Sequence, residues 1–128
     1  MAVIKNENYH DEQIKQNILK LRAVLDTLPP FCKIFFRGIE EYTSARTRLA
    51  YAYDIRLFFE FLHERNKECA KMEIVDIPLN TLDLIKREDI EEYMEYLTLY
   101  ERNGKEITND ERGKARKLSA LRSFYNYF

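Results

Sequence analysis

This chain has no tryptophan and little glycine, proline, cysteine or histidine: three, three, two and two among 128 residues. So few turn-formers, together with the lack of β-branched runs, speak against a sandwich or barrel of many short strands. Cys32 and Cys69 stand singly, far apart and in no metal-binding spacing. A disulfide framework is therefore not expected, and each reads as a buried reduced thiol. A zinc site would need Cys32, Cys69, His10 and His63 all at once, against the close ligand spacings such sites use. No apolar run approaches the roughly 20 residues of a membrane span. The opening "MAVIKNENYHDEQ" lacks the apolar core of a signal peptide, so a cytoplasmic protein with no membrane partner is expected.

Catalytic motifs are missing as well. There is no glycine-rich phosphate loop, no nucleophile motif and no cluster of metal ligands. The carboxylates of "REDIEEYMEY" have no matching His or Lys base, and none of nine tyrosines is marked out as a nucleophile. No metal, cofactor or catalytic residue is assigned, and an enzyme acting on its own is not expected.

What is present is a composition of 45% hydrophobic and 34% charged residues, the balance of one soluble globular domain. The net charge of −1 hides segregation. Arg112, Lys114, Arg116, Lys117 and Arg122 follow one another with no acid between Arg112 and Arg122, whereas Glu88, Asp89, Glu91, Glu92 and Glu95 form a block without a base. Opposite blocks can sum to near zero and still present one strongly positive face.

Hydrophobic periodicity is helical nearly throughout. A first helix is predicted over about Asp11 to Asp26, with Ile14, Ile18, Leu21 and Leu25 on one side, ended by "LPP" at 28–30. The next runs to about Tyr42, burying Ile34, Phe35 and Ile39. Thr43 or Ser44 caps a third helix, whose Tyr51, Ile55, Phe58 and Leu62 form a single-face stripe. A connector containing Pro78 follows, with a short turn near Asn80 to Ile85. A fourth long helix covers about Arg87 to Tyr100, turning Ile90, Tyr93, Met94 and Leu97 inward, and Asn103 or Gly104 serves as its stop. "TNDE" at 108–111 reads as a capping box of Thr108 with Glu111. It opens a last helix with Leu118, Leu121, Tyr125 and Phe128 inward. The expected fold is an all-α bundle. The ending "RSFYNYF", in mid-pattern on core-type aromatics, reads as a domain cut from a longer protein.

Two of these helices carry cations at the wrong end. Arg46 and Arg48 lie in the first turn of the third, and Arg112, Lys114, Arg116 and Lys117 crowd the start of the last. A helix N-terminus already bears about half a positive charge, so each cation there is disfavoured by roughly 0.3–1 kcal/mol. An external anion resolves both cases, because N-terminal N–H groups and basic side chains together bind phosphate, and DNA offers phosphates in a regular row. Two such helix ends can straddle a groove. Pairing of Arg46 and Arg48 with Glu40 or Glu41, a solvated basic face, or an acidic protein partner are the other readings. Tyr51 likewise has two: a core ring, or a hydroxyl emerging to meet a phosphate, with Thr47 one turn earlier. Gly113, costly within a helix by about 1 kcal/mol, marks either a close backbone approach or a late helix start.

Three segments, "SARTRLAYAYDIRLFFEFL", "IKREDIEEYMEYL" and "RKLSALRSFYNYF", resemble the N-terminal core-binding domain of the tyrosine recombinases, the phage-integrase family. The pattern is met by Ser44, Thr47, Tyr51, Asp54-Ile55, Phe58 and Phe61-Leu62, then by Asp89-Ile90, then by a basic residue before "LSALR" and an aromatic pair after it. The resemblance covers about residues 43 to 128 and treats residues 1–42 as an added helical segment. It implies a four-to-five-helix, SAM-like orthogonal bundle forming half of a clamp around double-stranded DNA. The other half would be a C-terminal catalytic domain of the same parent chain, which carries the family's catalytic residues, with other recombinase protomers alongside. DNA contacts are implied at Arg46, Thr47, Arg48 and Tyr51 and at Lys114, Arg116, Lys117 and Arg122. The function expected is DNA binding in integration and recombination; the alternative is a helical protein–protein interaction domain using "FCKIFF" as its contact surface.

Overall fold

A computed structural model describes the backbone of residues 2–128 and the side chains from residue 8 onward. Among the described residues six α-helices follow in order: α1 Ala2–Leu25, α2 Phe31–Gly38, α3 Ala45–Arg65, α4 Thr81–Leu84, α5 Arg87–Thr98 and α6 Glu111–Tyr127. A two-stranded antiparallel hairpin, β1 Leu99–Arg102 and β2 Lys105–Thr108, joins α5 to α6. The fold is an all-α bundle carrying this one small sheet.

The core forms around α3, whose Ala52, Ile55, Phe58, Phe59 and Leu62 are fully enclosed. Phe124 of α6 meets Phe35 of α2 edge-on at 5.3 Å and Phe59 at 6.3 Å. Tyr93 of α5 packs on Phe58 and Phe61 at 5.1 and 5.0 Å. Each enclosed ring contributes about 1.5–3 kcal/mol of burial, with edge-on ring pairs adding about 0.5–1.5 kcal/mol each. Leu21, Val24, Leu28, Cys32 and Phe35 belong to the same cluster, so residues before 43 help build the core on which α3 and α6 sit.

Several expectations are corrected. The first helix begins nine residues earlier than predicted, and the second ends at Gly38, followed by a 3-10 turn over Glu40–Tyr42. Ile14 and Ile34 are exposed, at 40% and 50%, rather than inward. Ile34 falls on the solvent side of a helix whose Cys32, Phe35 and Phe36 already fill the inner face. Phe128 is 45% exposed, though its ring rests on Phe31 and Phe124.

The largest correction concerns 98–111. The fourth long helix stops at Thr98, and Asn103-Gly104 is the two-residue loop of the hairpin, not a helix stop. Both residues have positive φ, 53° and 77°, which is the type I′ geometry whose twist suits a tight hairpin. Thr108 pairs with Leu99 in the sheet. The cap of α6 is Asp110, whose Oδ1 accepts from the Gly113 N–H at 2.8 Å. Arg102 ties the hairpin back to Glu60 of α3 at 3.1 Å.

Candidate nucleic-acid interface

The start of α3 is organised by Ser44, whose Oγ accepts from the Thr47 N–H at 3.1 Å and donates to the Thr47 hydroxyl. That cap sets the helix rotation and separates the two arginines. Arg46 and Thr47 face solvent. Arg48, two residues on and so about 200° around the helix, is only 9% exposed. Its Nη1 donates to the backbone oxygens of Glu40, at 3.1 Å, and of Thr43. Those carbonyls belong to the 3-10 turn preceding α3, so Arg48 closes the C-terminal end of that turn. A cation is favoured at such an end. Its position at the start of its own helix is thus explained from within the molecule.

A similar division holds in α6. Lys117 is 8% exposed, and its Nζ donates to Asn109 Oδ1 at 2.9 Å. The Asn109 amide in turn donates to the Leu97 carbonyl at 2.9 Å, fastening the start of α6 to the end of α5. Burial pulls the Lys117 ammonium below the usual lysine range, opposed by the charge of Asp54. Lys114 is partly covered, reaching Glu111 at 3.1 Å and the Thr98 hydroxyl at 3.3 Å. Gly113 lies in the first turn of α6, where a Cβ would press on Asn109 at 3.1 Å. The residue thus permits a close approach, and the helix start is early.

Arg112, Ala115, Arg116, Ser119, Arg122 and Asn126 follow helical spacing and all face solvent. The one acid of α6, Glu111, stands at the edge of that stripe and reaches Lys114; the rest of the stripe carries none. On α3, Arg46, Thr47, Ala50 and Tyr53 are likewise exposed and acid-free. Among the described residues Arg46, Arg112 and Arg122 have no carboxylate within ion-pair distance.

The two faces border one another. Arg116 Nη2 lies 3.4 Å from Asp54 Oδ1 of α3. Half-buried Tyr51 lines a cleft of about 410 Å³ with Ser123, Asn126 and Tyr127. Tyr51 of α3 thus lies by the last turns of α6 and Asp54 by its second turn, while the start of α6 also sits by the end of α5. The surface shared by α3 and α6 is a pair of crossing helix faces, to which Arg46, Thr47, Tyr51, Arg116 and Arg122 contribute. Arg48 and Lys117 lie beneath it as supports.

Arg112 was recognised in the sequence as part of the basic block but not assigned a contact. Its exposure follows from the 112–116–119 spacing. Among the described residues, no group of three or more His, Cys, Asp or Glu gathers as a metal site. Nor, among these residues, is any helix long and apolar enough to cross a membrane. The "FCKIFF" segment turns Cys32, Phe35 and Phe36 into the core, leaving little apolar surface for the alternative docking role.

No protein-family model matches the chain, and no solved structure does. Over 90 residues the chain is 33% identical to a tyrosine recombinase XerC of Caldanaerobacter subterraneus subsp. tengcongensis, a match covering 66% of this chain. The matched part is 24% of that relative's length, so the chain corresponds to about a quarter of it. This identity supports a relationship to the tyrosine recombinases.

Proposed function

We propose that this chain is a DNA-binding core-binding domain of a site-specific tyrosine recombinase, gripping duplex DNA as one half of a clamp closed by a catalytic domain. The observation that carries the reading is the acid-free face of α6, with Arg112, Arg116 and Arg122 in solvent, bordered by the equally acid-free first turns of α3. An exposed row of guanidinium groups, of which Arg112 and Arg122 have no carboxylate partner among the described residues, is costly in self-repulsion and is relieved by a polyanion. Small residues between them, Ala115 and Ser119, let a duplex come close to the helix axis. Arg46, Thr47, Arg116 and Arg122 are the proposed contacts, with Arg112 added and Tyr51 at the edge of the same surface, while Lys114, turned to Glu111 and Thr98, is not among them.

Arg48 and Lys117 act by holding α3 and α6 in place. In this reading the chain contributes no catalytic group, and strand exchange belongs to the rest of the parent protein. The similarity to a tyrosine recombinase over a quarter of that protein's length supports this division.

Fluorescence anisotropy with a labelled 30-base-pair duplex tests the reading. Four or five neutralised phosphates predict that a fourfold rise in salt weakens binding roughly 10²–10³-fold. Affinity indifferent to salt, or no binding at low ionic strength, overturns it.

A further inference from the structure

Asp54 is an acid placed where the proposed DNA-facing surface otherwise has none. It is the first carboxylate after Glu41 in the chain, and it is only 5% exposed. The carboxyl sits between α3 and α6, with Arg116 and Lys117 of α6, Tyr93 of α5 and Tyr100 of β1 as its charged and titratable neighbours. Burial of this kind costs free energy unless the charge is used. The group that uses it is Arg116, which is 64% exposed and whose Nη2 meets Asp54 Oδ1 at 3.4 Å.

Among the described residues, Arg116 is the arginine on the α6 stripe with such an anchor; Arg112 and Arg122 have none. A free arginine loses up to about 2 kcal/mol of rotamer entropy when fixed on a ligand. Fixing it beforehand removes much of that loss from the binding step. The planar guanidinium suits this use, since one edge can be held while other N–H donors stay available.

We propose that Asp54 is a positioning residue for nucleic-acid binding: it holds one edge of the Arg116 guanidinium so that the remaining donors meet a phosphate. The proposal rests on the DNA-binding reading above and adds to it which arginine is pre-oriented, and by what. It makes an unusual demand on sign. Removing a carboxylate from a DNA-facing domain raises its positive charge, which on charge alone tightens binding. Loss of a positioning group loosens it.

The test is a double-mutant cycle by anisotropy on the full 128-residue chain with a labelled 30-base-pair duplex, using Asp54→Asn, Arg116→Ala and the double variant. Asp54→Asn keeps the side-chain volume, and thermal melts establish that each variant is folded at the assay temperature. The expected result is a roughly three- to tenfold weakening by Asp54→Asn, the size of one lost orienting hydrogen bond, with the salt slope unchanged. Arg116→Ala lowers the slope by about 0.9. In the Arg116→Ala background, Asp54→Asn then has no effect or tightens binding. Unchanged or tighter binding by Asp54→Asn in the otherwise native chain overturns the inference alone. So does weakening that persists without Arg116, which identifies a packing role. Failure of the native chain to bind duplex overturns the DNA-binding reading itself, and the inference with it.

Discussion

The ring of Tyr127, at the end of α6, lies directly over Gly38, the last residue of α2, where a Cβ would collide with it. The same ring stands edge-on to Phe35 at 5.6 Å and to Phe128 at 5.2 Å. Glycine at 38 therefore lets the last turn of α6 close on α2. Gly→Ala within a helix ordinarily stabilises by about 0.5–1 kcal/mol. Here Gly38→Ala forces Tyr127 outward and forfeits ring contacts of about 0.5–1.5 kcal/mol each, so the sign reverses. The expected outcome is a fall in Tm of about 3–6 °C by calorimetry. In a Tyr127→Ala background, the same substitution is neutral or raises Tm.

How far the sequence reveals this molecule can be judged residue by residue. A cap at Thr43 or Ser44 and the Ile55, Phe58 and Leu62 part of the α3 stripe were legible because capping chemistry and a 3.6-residue period leave local signatures; that Ser44 is the cap, and that Tyr51 is only half-buried, needed the structure. The hairpin was not, because its strands "LYER" and "KEIT" are short and mostly polar. Asn-Gly serves a type I′ turn and a helix stop through the same left-handed backbone. At the site, residue types drew attention to arginines and lysines in general, while burial divided them. The division was readable: Arg48, Ala52, Ile55 and Phe59 share one helical stripe, as do Lys117, Leu121 and Phe124. The Arg48 carbonyl contacts and the Asp54–Arg116 pairing depend on how separate segments meet, so local pattern did not carry them.

The hairpin loop makes a second prediction. Gly104 has φ of 77° and nothing near a potential Cβ, so its requirement is conformational and not steric. Gly104→Ala costs about 1 kcal/mol through the left-handed backbone. Urea unfolding should show a lower midpoint with an unchanged m-value. Gly104→Asn, which tolerates that conformation, should recover most of the loss.

Cys32 and Cys69 are fully enclosed, and burial pushes the Cys32 thiol up to about 12 and raises that of Cys69. Reactivity requires an accessible thiolate, and both conditions fail in the folded chain. Labelling with a disulfide reagent at pH 8 should be negligible over minutes without denaturant. It should appear for both thiols together as urea crosses the unfolding midpoint. Fast labelling of either one in native buffer contradicts this packing.

Arg46 and Arg48, two residues apart, should fail in opposite ways. Arg48→Ala leaves the Glu40 and Thr43 carbonyls without their donor beneath α3, and a lost hydrogen-bonded charge costs about 1.5–3 kcal/mol. Its Tm should fall by several degrees, and DNA binding should weaken only as the fold loosens, recovering at lower temperature. Arg46→Ala removes an exposed group with no carboxylate partner among the described residues. Its melting should shift by less than about 2 °C, since such surface changes usually stay within 0.5 kcal/mol. Its affinity for duplex DNA should drop at every temperature, with the salt slope reduced by about 0.9 for one lost phosphate. Parallel melts and salt titrations of the two variants separate support from contact. Equal loss of stability in both would place Arg46 in the framework and remove it from the DNA surface.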